Sequence, residues 1–181
     1  MKFLVNLIIL ILCTSATFAT DTFTAVTASG KTAEGIIWKQ TARVFNPGPT
    51  ETEFQLGKAV NKEVTVFGDF LQNNKGAQYL GASVCAAKPV GSVKTALNLN
   101  CYVGLNNTPD KVKVTGWANQ PISKSVYVGW GFLFSKSENA KSYFEQGPQI
   151  GMRVKSYGLN LQVVTNSKEK MVLNTSFSVQ F

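Results

Sequence analysis

Charged side chains recur on the polar faces of segments that alternate between polar and apolar residues. Six of them are candidates for contacts between neighbouring segments: Glu63, Asp69, Lys111, Lys113, Arg153 and Lys155. Side-by-side packing of the strands would place Asp69 opposite Lys111 and Lys113. It would place Glu63 level with Arg153 and Lys155. Such charges can hold a wall together as ion pairs, or they can form a path for ions or protons. The first role is the more common one in a narrow interior.

The sequence contains no histidine. Its absence removes the commonest general base, the usual partner of a serine nucleophile and the usual zinc ligand. We therefore expect no catalytic residues, no cofactor and no metal site. An enzyme is the weakest of the functional classes considered below.

Two cysteines, Cys85 and Cys101, flank the turn KPVGSV almost symmetrically. In an exported chain they are expected to form a disulfide, with two free thiols as the alternative. The alternation places Cys85 on a polar face and Cys101 on an apolar one. A shift of one residue in strand register would decide between the two outcomes.

The N-terminal segment has the plan of a secretory signal peptide. Lys2 precedes the apolar run Leu7 to Leu12, and small residues follow as far as Ala19. Cleavage after Ala19 would leave residues 20–181 as a single domain. The net charge is +8, yet the lysines are scattered. Anionic lipid or polysaccharide is thus a better partner than nucleic acid, which we do not expect this exported chain to bind.

The rest of the chain reads as a succession of β-strands with a period of two residues. Ten segments follow this pattern: 35–45, 53–60, 62–71, 78–87, 94–103, 110–119, 124–134, 147–155, 158–165 and 171–181. Segment 23–27 also alternates, and is expected either to join the first strand or to form a short arm. A soluble β-sandwich would bury the apolar faces, whereas a transmembrane barrel would turn them toward lipid.

Connection lengths and aromatic positions favour the barrel. Long polar connections, among them residues 135–146, alternate with short turns, as in barrels of the outer membrane. Aromatic residues gather near both predicted ends of the strands, where membrane interfaces would lie. They are Phe45, Phe70, Phe132 and Phe134 at one end, and Trp117, Tyr157, Phe177 and Phe181 at the other.

The last segment, MVLNTSFSVQF, ends on an aromatic residue, with Phe177 and Val179 at alternate positions before Phe181. This motif resembles the assembly signal of bacterial outer-membrane β-barrels, and YVGWGFLF and GPQIGMRV resemble their strands. The resemblance implies an all-β, antiparallel, up-and-down transmembrane barrel of 8 to 10 strands, with an even total. It also implies an outer-membrane location, contact with lipid and lipopolysaccharide, and recognition by the barrel insertion machinery.

The leading functional expectation is a structural or adhesive barrel that binds a host or surface ligand through its extracellular loops. The candidate contacts in the segment 135–146 are Lys136, Lys141, Tyr143 and Phe144. Exposed aromatic residues in a polar loop are typical of partner recognition. The alternative is a soluble secreted or periplasmic β-sandwich that serves as a surface-binding or fimbrial-type module.

Overall fold

The computed structural model describes residues 21–167 and 171–181, which form a closed β-barrel. The predicted signal peptide, 1–19, lies outside these residues. The strands are β1 (Asp21–Lys31), β2 (Ile36–Asn46), β3 (Thr50–Ala59), β4 (Val64–Asn73), β5 (Gln78–Val90), β6 (Val93–Leu105), β7 (Lys111–Pro121), β8 (Val126–Ser137), β9 (Tyr143–Val154), β10 (Tyr157–Asn166) and β11 (Met171–Gln180).

Consecutive strands pair antiparallel, and the barrel closes through a parallel pairing of β1 with β11. Ala25 is level with Ser176 there, and Val26 with Phe177. All ten segments predicted from the alternation are strands, but the 11 strands of the described residues exceed the expected 8 to 10, and their number is odd and not even. The additional strand is β1, which extends segment 23–27. Because up-and-down strands alternate in direction, an odd total makes the first and last strands parallel.

The apolar faces point outward, as predicted for a transmembrane barrel. In β3, Phe54 and Leu56 are 41% and 49% exposed, whereas the alternate residues Glu53 and Gln55 are each 2% exposed. Exposed apolar residues continue around the barrel on strands such as β5, β6 and β8. A soluble sandwich would show the opposite pattern, so that alternative is wrong.

The connections divide between two ends of the barrel. Residues 32–35, 60–63, 91–92, 122–125 and 155–156 form what we call the turn end, where β11 also finishes. Residues 47–49, 74–77, 106–110 and 138–142 lie at the opposite end, the loop end. The division of the connections between two ends was predicted, but the expected contrast in length is small: the described connections have 3 to 5 residues at the loop end and 2 to 4 at the turn end. Within the described residues, no helix is long and apolar enough to cross a membrane.

The predicted disulfide is absent, because both cysteines are free thiols. Cys85 is level with Asn98 on β6, and Cys101 is level with Ala82 on β5. The two residues are therefore three positions apart in register, with Cys85 facing the lumen and Cys101 facing outward. The observed register excludes a bridge between them without movement of the backbone.

Candidate functional site

Glu53 lies at the centre of a group of buried polar side chains in the lumen. Its side chain accepts hydrogen bonds from the guanidinium of Arg43 and the hydroxyl of Tyr102. Arg43 and Glu53 also form an ion pair, and their side chains are only 11% and 3% exposed. The alternation brings the three together: Arg43 on β2, Glu53 on β3 and Tyr102 on β6 all point inward. A buried carboxylate with two such donors is well compensated for its lost hydration.

Asp69, on β4, occupies a second polar cluster in the same part of the lumen. It accepts hydrogen bonds from Gln55 at 2.9 Å, from Ser83 at 3.1 Å and from Asn100 at 3.3 Å. Its partners are therefore neutral residues of β3, β5 and β6. The inward-facing residues of β2 to β6 together form what we call the filled sector.

Asp69 does not form the predicted ion pairs with Lys111 and Lys113. All three side chains face the lumen, but Lys111 pairs with Glu51 at 3.5 Å. Lys113 interacts electrostatically with Arg43 and Glu53. Lys39 interacts electrostatically with Glu53 and Asp69. Among the described residues, neither Lys39 nor Lys113 forms an ion pair with a carboxylate.

The prediction that Glu63, Arg153 and Lys155 lie together in the lumen is wrong. Glu63 lies in the turn 60–63 and forms an exposed ion pair with Lys88 at 3.7 Å. Lys155 lies in the turn after β9 with a positive φ of 53°. Arg153 does face inward, where it donates a hydrogen bond to Gln180 at 2.7 Å. The alternation correctly predicted that the side chain of Arg153 points inward, because this residue lies in a strand. It does not apply to Glu63 and Lys155, because they lie in turns.

The inward-facing residues of β7 to β11, which we call the open sector, include five glycines: Gly129, Gly131, Gly147, Gly151 and Gly158. These glycines let neighbouring side chains lie flat against the wall. Tyr127 lies over Gly151, where a Cβ atom would collide with its ring. The side-chain amide of Gln149 donates to Asn119 at 2.6 Å, and that of Asn160 donates to Gln149 at 3.1 Å.

A cavity of about 490 Å³ opens at the loop end, and we call it the loop vestibule. It contains both signs of charge, with Arg43, Lys111 and Lys113 as cations and Asp21, Glu51 and Glu145 as carboxylates. Phe45, which the sequence assigned to an aromatic belt, lines this cavity and packs against Phe23 with ring centroids 4.9 Å apart. The belt assignment of Phe45 is therefore wrong.

A second cavity, of about 450 Å³, opens at the turn end, and we call it the turn vestibule. Its charged lining residues are Lys94, Lys124 and Arg153, and no carboxylate is among its lining residues. Trp117 also lines it, so this residue belongs to the lumen and not to the predicted outer belt. The two vestibules share no lining residue.

Of the four residues predicted to make contacts from the loop, three lie in strands and one lies in the loop. The connection spans only 138–142, so Lys141 is in it, whereas Lys136 is the penultimate residue of β8. Tyr143 and Phe144 begin β9. The hydroxyl of Tyr143 donates to Glu145 at 2.7 Å inside the lumen, and Phe144 packs outside against Phe132 with ring centroids 6.5 Å apart. The prediction of an exposed aromatic loop is therefore wrong.

The residues of the predicted assembly signal, Phe177, Val179 and Phe181, lie at the turn end of β11. Phe177 stacks on Tyr157 with ring centroids 6.4 Å apart, and Phe181 stacks on Trp38 at 6.1 Å. The backbone N–H of Phe181 also donates to the carbonyl of Ser29 at 2.9 Å, across the parallel closure. Recognition of these residues by an insertion machinery stays a prediction.

Sequence reasoning missed Lys39, Arg43, Glu51, Glu53 and Tyr102. The first four occupy polar positions of β2 and β3 in the same two-residue period that identified the other charges, so a signal was present. The contact between Tyr102 and Glu53 joins residues 49 positions apart on strands that are not neighbours. No pattern within one strand could predict it.

A closed sheet with an apolar outer surface and a polar lumen is the architecture of an outer-membrane β-barrel, and the protein has this fold. It is similar to a solved KdgM porin described as "in complex with disordered oligogalacturonate", with a TM-score of 0.60 and 13% identity over 78% of this chain and 82% of that one. A second solved KdgM porin has a TM-score of 0.57 and 12% identity over the same shares. No protein-family model matches the chain, and no curated protein matches it.

The polar lining of the lumen can bind polar solutes and screen their charge. Among the described residues, no group of three or more histidine, cysteine, aspartate or glutamate side chains could hold a metal ion. Cationic side chains, carboxylates and amides instead line two water-accessible mouths. Such a lining can replace part of the hydration shell of a polar solute.

Proposed function

We propose that the protein is an outer-membrane channel that passes small hydrophilic solutes and prefers anions. The observation that carries the proposal is the polar lumen with a vestibule at each end, in a barrel with the fold of a porin. A barrel that served only as a wall would need no cavity at its mouths. The channel is narrow, since the filled sector occupies part of its cross-section.

The preference for anions rests on the charges of the turn vestibule. Lys94, Lys124 and Arg153 line it without a carboxylate, so the local potential favours anions. A cleft with low-dielectric walls focuses such a potential and raises the local concentration of the attracted ion. The similar KdgM porin is described in complex with oligogalacturonate, and an acidic oligosaccharide is one class of solute that this vestibule would suit.

The structural or adhesive role has less support than the channel. It depended on exposed aromatic residues in a long loop, but Tyr143 points into the lumen and Phe144 lies on the outer wall. The connections at the loop end that the structure describes are short. Lys141 remains as a charged residue in an exposed position, which by itself is ordinary for a loop.

The first experiment tests the location and the barrel together. We expect the expressed protein to sediment with the outer membrane and to run faster in a detergent gel before boiling than after it, because a closed barrel resists unfolding by detergent. The proposal would be contradicted by a protein that stays in the soluble fraction and shows no change of mobility on heating.

The second experiment tests conduction. We expect the purified protein in a planar lipid bilayer to produce discrete current steps in potassium chloride, and its reversal potential in a salt gradient to indicate a preference for chloride. Heat-denatured protein from the same preparation is the control. An absence of steps at the protein concentration where a known porin conducts would exclude the channel.

The third experiment assigns the ion preference to the turn vestibule. The double variant Lys94→Gln and Arg153→Gln should shift the reversal potential toward cations, because it removes two of the three cationic side chains. The matched control is Lys58→Gln with Lys88→Gln, which removes two charges from exposed positions of β3 and β5. Equal shifts in both variants would mean that net charge, and not the vestibule, determines the preference.

A further inference from the structure

The two vestibules approach each other most closely along the open sector. On β9, the loop vestibule reaches Glu145 and the turn vestibule reaches Gln149, so that Gly147 is the one inward-facing residue between them. On β8, Gly129 and Gly131 separate the two linings, and on β7 the separating residue is Thr115. The wall between the cavities is therefore short, and on β8 and β9 its inward-facing residues are glycines alone.

Gln162 is the long side chain in this wall. It lies on β10, and its amide nitrogen donates to the carbonyl of Gly147 on β9 at 3.2 Å. The same nitrogen is 2.8 Å from the position that a Cβ atom on Gly131, of β8, would occupy. The side chain thus reaches from β10 across β9 to β8, over two positions that have no side chain of their own.

Two of the other side chains between the vestibules are more firmly held. Asn174, on β11, donates to Glu145 at 3.1 Å and is 7% exposed. Val164, on β10, is 1% exposed and packs in the wall. Gln162 is only partly buried, and among the described residues its side chain forms a single hydrogen bond, to the backbone carbonyl of Gly147. It can move aside at little cost, because a single hydrogen bond contributes about 0.5–1.5 kcal/mol.

The filled sector offers no comparable route. Glu53, Gln55, Asp69, Ser83 and Asn100 are each 2% exposed or less, and they are connected by hydrogen bonds into clusters. None of these five residues lines either vestibule. A solute that crossed there would have to separate buried charges from their partners, which is costly.

We propose that solutes cross the barrel along the glycine-lined wall of β8 to β10, and that Gln162 forms the narrowest point of this path. The inference rests on the proposed channel function and adds the route and the residue that limits its width. Because Gln162 is neutral, it selects by size and hydrogen bonding, while the charges of the vestibules select by sign.

The test compares three amide truncations by single-channel conductance in a planar bilayer. Gln162→Ala should raise the conductance roughly twofold, because the narrowest point limits ion flow. Asn100→Ala removes an amide from the filled sector, and Gln40→Ala removes one from the outer face of β2. Neither control should raise the conductance, since neither residue lies on the route.

A second variant works in the opposite direction. A Cβ atom on Gly131 would crowd the amide nitrogen of Gln162, the mobile end of a flexible side chain, and displace it into the passage. We therefore expect Gly131→Ala to lower the conductance. The double variant Gly131→Ala with Gln162→Ala should conduct like Gln162→Ala alone, because the displaced group is then missing and the two effects are coupled. A gel-mobility assay before and after boiling verifies that each variant is folded.

The outcomes separate the route from the channel function. If the wild type conducts and Gln162→Ala does not increase its conductance, the route is wrong and the channel stands. If the wild type is silent and Gln162→Ala conducts, the route is supported while an open wild-type channel is excluded. If both are silent in folded form, both proposals are wrong. An increase with Asn100→Ala but not with Gln162→Ala would place the route through the filled sector.

Discussion

The two sectors of the lumen use their side chains in different ways. In the filled sector, long polar residues from β2 to β6 meet across the barrel axis, with Tyr102 and Arg43 converging on Glu53. In the open sector, glycines allow Tyr127 and Gln162 to lie against the wall. The same alternation therefore produces a lumen with a buried network of polar side chains on one side and, on the other, the wall along which we propose that solutes pass. The difference lies in which side chains are joined by buried hydrogen bonds: the carboxylates Glu53 and Asp69 are buried with their partners, whereas the amide contacts of the open sector are only partly buried.

The largest effect that the comparison predicts is on Glu53. Glu53→Gln keeps the shape of the side chain but leaves Arg43 without its carboxylate in a buried position. We expect a loss of about 3–5 kcal/mol of stability, which is typical when one partner of a buried ion pair is removed. Unfolding in urea, followed by tryptophan fluorescence in detergent micelles, measures it.

The matched control for Glu53 is Glu63→Gln, which breaks an exposed ion pair in the turn 60–63. The side chains of Lys88 and Glu63 are 67% and 51% exposed, and such surface pairs contribute about 0–1 kcal/mol. Comparable losses in the two variants would contradict the distinction between a buried network and a solvated turn.

A pair of tyrosines sharpens the comparison between the sectors. Tyr102→Phe removes a hydrogen-bond donor to a buried carboxylate, and we expect it to cost about 1.5–3 kcal/mol. Tyr127→Phe removes a hydroxyl that donates to Asn160 at the long distance of 3.4 Å, and we expect it to cost less than about 0.5 kcal/mol. The same unfolding measurement applies to both, and a larger loss from Tyr127→Phe would reverse the assignment of the sectors.

The smallest effect concerns two serines. Ser83→Ala removes one of three donors to Asp69, and we expect a loss of about 1 kcal/mol. Ser178→Ala, in the exposed part of the open sector, should leave the free energy of unfolding unchanged. A stable Ser83→Ala variant would indicate that Gln55 and Asn100 satisfy Asp69 without the hydroxyl.

The candidate site was only partly accessible from the sequence. The inward direction of Asp69, Lys111 and Lys113 was predicted, because each lies on the polar face of its strand. Their partners were not, since Asp69 is bonded to neutral residues and Lys111 pairs with Glu51. The contact of Gln162 with Gly147 and its approach to Gly131 were not predicted either, because they depend on three strands lying side by side.

The sequence by itself determined the class of the fold, because the two-residue period assigns each residue of a strand to one of two faces. Ten of the strands, the polar and apolar face of each and the alternation of the connections between two ends follow from it. The outward direction of the apolar faces was favoured by the connection lengths, the aromatic positions and the C-terminal motif. Only the tertiary structure decided how β1 closes the barrel, which fixes the odd total and the parallel pairing with β11. It also decided the contacts across the lumen and the separation of Cys85 from Cys101. These depend on register and on closure, which involve residues far apart in the chain, whereas the face of a residue depends only on its neighbours.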